Sequence, residues 1–341
     1  MKPLLLPTSY FLLKKKNLLA FSTGIDSSAL FFLLLENNIK FDIAIVDYGV
    51  RAQSKEEVAH AKALAKKYKL FCHSIQAPQF TTNFEKQARD FRYEFFDSLV
   101  TIEGYDNILT AHQLNDQLEW FLMRLTKGAG VSELLGLESV THKENYTLIR
   151  PLLNYSKKEL LHYLHSHKYP YFIDESNSDE KYERNRFRHQ FADALLAEYK
   201  EGIARSFAYM QKDKEALNKD FETLVIKKEL RIIQLHSEEV KVKAADLALK
   251  KLGYLLSASQ RQEIENEKSL VIGGQWAVEL QNNLLYIAPY VSTTMPKKFK
   301  EQCRTNKIPH KIRPYLFQEK ISIPLIPHSQ AGVPSYTPAS S

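Results

Sequence analysis

Short apolar runs alternate with longer stretches of helical spacing through the first 200 residues. Four apolar runs have the length of strands, at residues 17–21, 41–47, 70–75 and 107–110. Apolar residues recur at helical spacing at residues 29–34, 54–68, 83–103 and 113–126. Strands that alternate with helices form a parallel sheet covered on both faces. The pattern therefore predicts an α/β fold with a doubly wound, Rossmann-like parallel sheet, whose ligands bind at the carboxyl ends of the strands.

The chain changes character after about residue 195. Residues 200–235 are charged and rich in helix-forming side chains, which predicts a helical arm. A small mixed unit follows, with helical patterns at 244–256 and 259–267 and strand patterns at 269–272, 276–280 and 284–287. The last dozen residues are rich in Ser, Pro and Ala and are predicted to be disordered. We therefore predict a first domain at 1–200, a helical arm at 201–238, a smaller C-terminal domain at 239–325 and a disordered tail at 326–341.

Composition is that of a globular protein, with 44% hydrophobic and 26% charged residues among 341. The two cysteines, Cys72 and Cys303, are far apart, which argues against a disulfide framework or a Cys-x-x-Cys pair. Lys14, Lys15 and Lys16 interrupt the apolar N-terminal stretch where a signal peptide would be continuous. No stretch approaches the roughly 20 apolar residues of a membrane span. We expect a cytoplasmic protein that does not act at a membrane.

The net charge of +7 is unevenly distributed. The first 200 residues are nearly neutral, whereas the remainder carries most of the surplus. Basic residues concentrate between 297 and 320, at Lys297, Lys298, Lys300, Arg304, Lys307, Lys311, Arg313 and Lys320. Such a surplus suits a polyanion such as RNA, and it equally suits a solvated surface that only maintains solubility.

A small polar turn between the first strand and the first helix is the first candidate site. It contains Ser22, Thr23, Gly24, Ile25, Asp26 and Ser27. Backbone N–H groups at a helix start, with the positive end of the helix dipole, bind anions such as phosphate. No Gly-Lys-Ser/Thr follows, so the turn is not a Walker loop. An ordinary helix capped by Asp26 is the alternative.

This turn resembles the pyrophosphate loop of the N-type ATP pyrophosphatases, which reads Ser-Gly-Gly-x-Asp-Ser. Thr23 stands where that family has its first Gly. If the position needs a positive φ, a β-branched residue there is strained. The resemblance implies that the six residues of the turn bind ATP and that Asp26 is a candidate ligand for Mg²⁺.

A second candidate site contains His112, Asp116 and Glu119. His112 follows the fourth predicted strand, and the two carboxylates are three residues apart, so they share one face of the next helix. Such a pair could bind Mg²⁺, hold an ammonium group or accept a proton. Acidic residues near a helix start also compensate the helix dipole, and a lone His at a strand end is often structural.

An ordered series of motifs between residues 17 and 200 resembles the tRNA(Ile)-lysidine synthetase family of the PP-loop superfamily. The series is Ser22 to Ser27; Ala111-His112-x-x-x-Asp116-Gln117-x-Glu119; Arg124-Leu125-x-x-Gly128-x-Gly130; Arg150-Pro151-Leu152-Leu153; Ser176-Asn177; and Arg184-Asn185-x-x-Arg188-His189. The unit near 240–290 is similar to that family's first C-terminal domain. The resemblance makes 1–200 an N-type ATP pyrophosphatase catalytic domain and 239–325 a tRNA-binding domain.

The resemblance implies an ATP-dependent ligase. ATP adenylates O2 of the wobble cytidine in the tRNA(Ile) with a CAU anticodon. The ε-amine of free L-lysine then displaces AMP and forms lysidine, which changes codon reading from AUG to AUA. Asp26, Asp116, Glu119, Arg184 and His112 become the catalytic candidates, with ATP and Mg²⁺ at the loop. Asp116 or Glu119 would hold the lysine ammonium, and Arg184 the lysine carboxylate or the adenylated intermediate. A homodimer is compatible with this assignment.

Besides Thr23, two residues and one short segment depart from the family pattern. Asn115 replaces the first Asp of an Asp-Asp pair, and Tyr48 stands where a His is usual. Residues 173–175 keep an acidic pair only in part. These departures weigh against a metal at Asn115 and a base at Tyr48.

Three alternative functions remain open on sequence alone. One is a PP-loop tRNA thiolase, although such sulfur-transferring relatives usually have paired cysteines. Another is an amidotransferase synthetase such as GMP synthetase, although no glutaminase domain is present. The third is a tRNA-binding protein with an inactive nucleotide loop.

Overall fold

The computed structural model describes residues 4–6, 8–49, 53–80, 82–173, 183–218 and 220–322. The predicted disordered tail and the motif residues Ser176 and Asn177 lie outside the described residues, as does most of the partly kept acidic segment at 173–175. Contacts divide the chain into two compact units, Met1–Lys212 and Asp213–Ser341. The domain boundaries inferred from the sequence remain predictions.

The first unit is built on a six-stranded sheet in the order β3-β2-β1-β4-β6-β5. Its strands are β1 (Asn17–Ala20), β2 (Phe41–Asp47), β3 (Cys72–Gln76), β4 (Asn107–Leu109), β5 (Val140–His142) and β6 (Thr147–Ile149). All neighbouring pairs are parallel except β5 with β6, which is antiparallel. The predicted doubly wound parallel sheet is confirmed, and β5 adds an antiparallel edge.

Helices cover both faces of this sheet. They are α1 (Ser9–Leu12), α2 (Ile25–Glu36), α3 (Gln53–Tyr68), α4 (Phe84–Glu103), α5 (Leu114–Leu125), α6 (Val131–Leu134), α7 (Lys157–His167), α8 (Glu183–Phe187) and α9 (Asp193–Asn218). Adjacent residues of β1 serve opposite faces: Leu19 joins the core that contains α2, and Leu18 joins the core that contains Phe96 of α4. The sheet is therefore buried on both sides, as its continuous apolar strands require.

The second unit is a five-stranded antiparallel sheet in the order β7-β8-β11-β10-β9. Its strands are β7 (Phe221–Lys227), β8 (Leu230–Leu235), β9 (Ser269–Ile272), β10 (Trp276–Gln281) and β11 (Leu284–Pro289). Its helices are α10 (Lys241–Lys251), α11 (Ala258–Asn266), α12 (Lys297–Thr305) and α13 (Arg313–Gln318). One face packs against α10 and α11, and the other packs against α12 and α13.

The expectation of helix through residue 235 is wrong for residues 221–235, which form β7 and β8. The charged composition of this stretch obscured its strand-forming residues, among them Thr223, Val225 and Ile226. Pairing with β11 then buries Ile232 and Ile233 of β8 on opposite faces of the sheet. Tertiary burial therefore overrides the helical tendency of the surrounding charged residues.

No helix within the described part of the chain is both long and apolar enough to span a membrane.

Candidate active site

The turn between β1 and α2 is held by hydrogen bonds among its own serines. The N–H of Ser22 donates to Oγ of Ser27 over 3.2 Å, and the two hydroxyl oxygens lie 3.1 Å apart. The hydroxyl of Ser28 donates to the carbonyl of Thr23 over 3.0 Å. Gly24 is the N-cap of α2, and no side chain caps it. The first N–H groups of α2 have no acceptor within the helix, so they are available to an anion.

Thr23 adopts a left-handed backbone conformation, with φ at +62°. Its side chain is fully buried, and its hydroxyl donates to the carbonyl of Ser22 over 2.6 Å. A β-branched residue at positive φ is strained. The strain anticipated for a Thr at this position is therefore present. The carbonyl of Thr23 also accepts from the N–H of Phe172, which connects the turn to the segment that follows α7.

Thr23→Gly is expected to keep or raise activity, because Gly adopts positive φ without steric cost. The relief of about 1 kcal/mol of strain offsets the loss of a buried methyl and hydroxyl, so thermal stability should change little. Thr23→Val is the matched control, since it keeps the branch and removes the hydroxyl bond. Steady-state turnover and melting temperature should both rank Gly above Val. Complete loss of activity in Thr23→Gly would instead show that the threonine side chain has a specific role.

Asp26 lies in the first turn of α2 and does not cap it. Its Oδ1 is buried and has no hydrogen-bond partner among the described residues. Burial and the nearby charge of Asp116 raise the pKa of Asp26 to about 7, although Lys157 and Arg188 oppose the shift. An orphaned buried carboxylate oxygen beside a phosphate-type turn is suited to bind a cation.

Asp26 suits a Mg²⁺ ion that is also bound by substrate phosphates and water, rather than an ion enclosed by protein ligands alone. No group of three or more His, Cys, Asp or Glu side chains in the described ranges could hold a metal ion by itself. Mg²⁺ is commonly held by one or two carboxylates together with substrate phosphates and water. Asp26, with a free oxygen at the turn, meets that requirement.

Asp116, Glu119, Arg184 and Arg188 form an arginine–carboxylate cluster. Arg184 donates from Nη2 to Asp116 Oδ1 at 2.5 Å and from Nε to Glu119 Oε2 at 2.9 Å. Arg188 donates from Nε to Glu119 Oε1 at 2.6 Å. The side chain of Glu119 is fully buried, whereas that of Arg184 is 46% exposed and that of Arg188 only 12%. Asp116 and Glu119 of α5 thus form ion pairs with two arginines from a distant part of the sequence.

The arginines also set the protonation state of Asp116. Burial by itself would raise the pKa of Asp116, but the charges of Arg184, His112 and Arg188 and the N–H of Gln113 together lower it. Asp116 is therefore ionised at neutral pH despite its burial.

Asp116 serves the helix as well as the cluster. Its Oδ2 accepts from the N–H of Gln113, and the Gln113 side chain accepts from Asn115, so the pair forms a capping box at the start of α5. Helix-end stabilisation, one of the two interpretations left open by the sequence, is therefore confirmed for Oδ2, whereas Oδ1 pairs with Arg184 and a role in site chemistry stays a prediction.

His112 lies beside this cluster with Nδ1 2.9 Å from Oγ1 of Thr110. Burial lowers the pKa of His112 to about 4, and Asp116 offsets this only in part. The imidazole is therefore neutral at pH 7, where it can hydrogen-bond a substrate group without carrying charge.

Asn115 and Tyr48, two of the departures from the family pattern, have structural partners. Oδ1 of Asn115 accepts from the N–H of Lys157 at 3.1 Å, and Nδ2 donates to Asp193 Oδ1 at 2.7 Å. The amide thus connects the starts of α5, α7 and α9. The Tyr48 hydroxyl donates to the carbonyl of Ala88, and burial raises the pKa of Tyr48, so the phenol is protonated at neutral pH.

Sequence reasoning did not select Arg188, Lys157 or Arg92 as site residues. Arg188 lies four residues after Arg184, and that helical spacing is the signal that could have identified it. Lys157 lowers the pKa of Asp26, and Arg92 of α4 lowers that of His112. Neither carries a sequence signal beyond its charge, because each approaches the site only through tertiary folding.

Residues 6–195 match the PP-loop domain family. This match, together with the serine-rich turn at the carboxyl edge of the parallel sheet, defines a PP-loop ATP-binding enzyme. The chain is 44% identical to a tRNA(Ile)-lysidine synthase from Campylobacter jejuni (strain RM1221) over 92% of its own length and 96% of the relative's. It is 40% identical to a tRNA(Ile)-lysidine synthase from Helicobacter pylori (strain ATCC 700392 / 26695), with 91% of each chain covered.

The chain belongs to the tRNA(Ile)-lysidine synthase family. A solved U34-tRNA thiolase from Methanococcus maripaludis with its [4Fe-4S] cluster is 17% identical, with a TM-score of 0.49 over 58% of this chain and 72% of that one.

Proposed function

We propose that the protein uses ATP to adenylate O2 of the wobble cytidine of tRNA(Ile) with a CAU anticodon, and then joins free L-lysine to C2 of that base. Asp26, whose buried Oδ1 has no hydrogen-bond partner in the described part of the chain, lies in a phosphate-type turn and within electrostatic range of Asp116 and Glu119. This juxtaposition of a phosphate-type turn and the arginine–carboxylate cluster carries the proposal. A cytoplasmic setting, where tRNA and ATP meet, fits it, and a homodimer remains a prediction.

In the first step, the cytidine O2 attacks the α-phosphorus of ATP, and the bond from that phosphorus to the bridging oxygen breaks. Pyrophosphate leaves with the electron pair. The N–H groups at the start of α2 and the hydroxyls of Ser22 and Ser27 donate hydrogen bonds that stabilise the negative charge of the pyrophosphate. Mg²⁺, when bound at Asp26, would supply further neutralisation of phosphate charge.

In the second step, the ε-amine of lysine attacks C2, and the C2–O bond to AMP breaks. An amine with a pKa of about 10.4 must lose a proton first, which costs roughly 4–5 kcal/mol at pH 7. Asp116 and Glu119 are the carboxylates that would hold the ammonium and receive its proton. Arg184 and Arg188 pair with these two carboxylates in the structure. Arg184 is the more exposed of the two arginines, so it is the one that an incoming ammonium can replace.

A reconstituted reaction tests the proposal. The enzyme is mixed with ATP, Mg²⁺, lysine and a tRNA(Ile) transcript with a CAU anticodon, and pyrophosphate release is followed with mass spectrometry of the wobble nucleoside. We expect lysine to appear in the nucleoside in proportion to the AMP and pyrophosphate formed. The same transcript with U34 is the control and should be inert.

Two outcomes would contradict the proposal. Tight tRNA binding with no pyrophosphate release under any condition would identify a binding protein with an inactive loop. Pyrophosphate release with modification by something other than lysine would identify another PP-loop activity.

A further inference from the structure

Lys157 is the first residue of α7, and both ends of that helix are connected to elements of the candidate active site. The backbone N–H of Lys157 donates to Oδ1 of Asn115 at 3.1 Å, next to Asp116 at the start of α5. After the other end of α7, the N–H of Phe172 donates to the carbonyl of Thr23 in the phosphate-type turn. The position of Lys157 is therefore set by backbone contacts of α7 and not by its own ammonium group.

The core on one face of the sheet joins α7 to α2, the helix that follows the turn. Leu30 and Leu34 of α2 lie in the same buried apolar cluster as Leu160 and Leu164 of α7. Close-packed cores of this kind transmit strain and resist displacement of one helix against another. The start of α7 is thus held in a fixed place beside the turn.

The ammonium group of Lys157 is not used by the fold. Within the described ranges, no hydrogen bond or ion pair joins it to another residue, although the side chain is half-buried. The two arginines of the site, by contrast, are paired with its carboxylates. Lys157 lies within electrostatic range of Asp26, and of the two cations that lower the pKa of Asp26 it has the larger effect. This ammonium group is therefore available to an anionic ligand at the turn.

The charges of the site require a further cation once a nucleotide is bound. Three carboxylates lie near two guanidinium groups, namely those of Asp26, Asp116 and Glu119 and those of Arg184 and Arg188. These two arginines leave no surplus positive charge, and the carboxylates would repel the phosphates of a nucleotide. Lys157 brings to this place a positive charge that no described carboxylate binds.

We propose that Lys157 binds the α-phosphate of ATP and stabilises the charge on that group in both steps of the reaction. This inference rests on the proposed function. In that function the turn holds the pyrophosphate portion of ATP, and Asp116 and Glu119 hold the lysine ammonium. The α-phosphate lies between these two groups, because it is bonded first to the pyrophosphate and then to the base that lysine attacks. Lys157 is adjacent to both α5 and the turn, so it suits that position.

Both steps place charge on the same phosphate group. In the first step, the cytidine O2 bonds to the α-phosphorus while the bond to the bridging oxygen breaks, and the oxygens of the α-phosphate must be stabilised. In the second step, the C2–O bond breaks and its electron pair stays on the phosphate oxygen of AMP. A cation whose position is already fixed stabilises such charge without a cost of reorganisation.

A set of variants at the start of α7 tests the proposal. Lys157→Ala removes the ammonium group and keeps the backbone N–H that donates to Asn115. Lys158→Ala is the matched control, because Lys158 is the next residue of the same helix and its side chain is exposed. Lys157→Arg keeps the charge. Calorimetry measures the affinity of each variant for AMP and for inorganic pyrophosphate, and single-turnover assays with tRNA(Ile) measure pyrophosphate release.

Lys157→Ala should bind AMP about tenfold more weakly, because a charge-assisted contact is lost. Its affinity for pyrophosphate should not change, since the turn holds that group. Pyrophosphate release at saturating ATP and tRNA should slow about thirtyfold, and the KM for lysine should stay the same. Lys157→Arg should recover most of both losses, and Lys158→Ala should behave as the wild type.

Melting temperatures separate a contact with substrate from a disturbed helix. Lys157→Ala should melt close to the wild type, because relief of an unfavourable charge at the helix start offsets the lost attraction for Asp26. Wild-type AMP affinity and rate in Lys157→Ala would overturn this inference and leave the proposed function intact. Equal losses of AMP and pyrophosphate affinity, or losses that Lys158→Ala shares, would overturn it as well. Failure of the wild type to release pyrophosphate with tRNA(Ile) would instead overturn the proposed function.

Discussion

Asp26→Asn is expected to lower ATP-dependent turnover by about a thousandfold or more and to stabilise the fold at neutral pH. The loss of activity follows because the variant removes the charge that would organise phosphate and Mg²⁺ at the turn. The gain in stability follows because the charge is buried near Asp116 and Oδ1 of Asp26 has no hydrogen-bond partner among the residues that the structure describes. Asp26→Ala should lose activity equally and keep the fold.

The pH dependence of this stability gain has a definite sign. The pKa of Asp26 is 3.8 in the unfolded chain and about 7 in the fold. Between these values the folded state binds more protons than the unfolded state, so the wild type loses stability as pH rises from about 4 to about 7. Asp26→Asn lacks this titration. Its advantage should be absent near pH 4 and reach on the order of 4 kcal/mol above pH 7.

Chemical denaturation at pH 4, 5.5, 7 and 8, together with turnover at pH 8, measures both effects. Asp90→Asn, on the exposed side of α4, is the control and should change neither quantity. A variant that keeps full activity would remove Asp26 from the site. A variant that is less stable than the wild type at pH 8 would mean that the carboxylate has a stabilising partner.

Glu119→Gln should have the second largest effect, and it should act on stability and catalysis together. The fully buried Glu119 accepts from both Arg184 and Arg188. Removing its charge leaves the two guanidinium groups short of a partner, which costs about 3 kcal/mol for a buried pair. We also expect a raised KM for lysine, a slower second step, or both, since the incoming ammonium loses a carboxylate.

A double-mutant cycle separates the two causes. Arg188→Gln combined with Glu119→Gln removes both members of the most buried pair and should recover part of the lost stability. It should not recover lysine binding, which needs the carboxylate itself. If stability returned together with lysine binding, the role of Glu119 would be structural only.

Trapping of the intermediate completes the measurement. Asp116→Asn and Glu119→Gln should still form adenylated tRNA when lysine is omitted, because neither side chain belongs to the ATP turn. If both variants failed to form it, the two carboxylates would act in nucleotide or metal binding instead.

The sequence was most informative where local pattern and local chemistry coincide. Apolar runs predicted the strands β1 to β4, and the serine-rich turn predicted the phosphate-type site between β1 and α2. Even the strain at Thr23 could be anticipated, because a positive φ penalises a β-branched residue wherever it occurs. These features depend on residues close together in the chain.

Features that depend on distant contacts could not be predicted. Periodicity placed Asp116 and Glu119 on one helix face, but only folding brings Arg184 and Arg188 onto them from some 65 to 69 residues away. In the same way, the residues of β7 and β8 became strands because a sheet partner was present, and the charged run after residue 290 became α12 and α13. Whether each predicted site residue acts in catalysis remains a prediction that the variants above will decide.

The second face of the C-terminal sheet constrains how this chain can change over time. Ile232 and Tyr286 on that face are covered by the segment that carries α12 and α13. A chain that ended before Lys297 would expose these apolar side chains to water and invite aggregation. The exposed side of α12 can therefore gain or lose charge by single substitutions, while the segment itself cannot be deleted. The affinity of this surface for a charged partner can therefore change by substitution, whereas the helix itself must be retained.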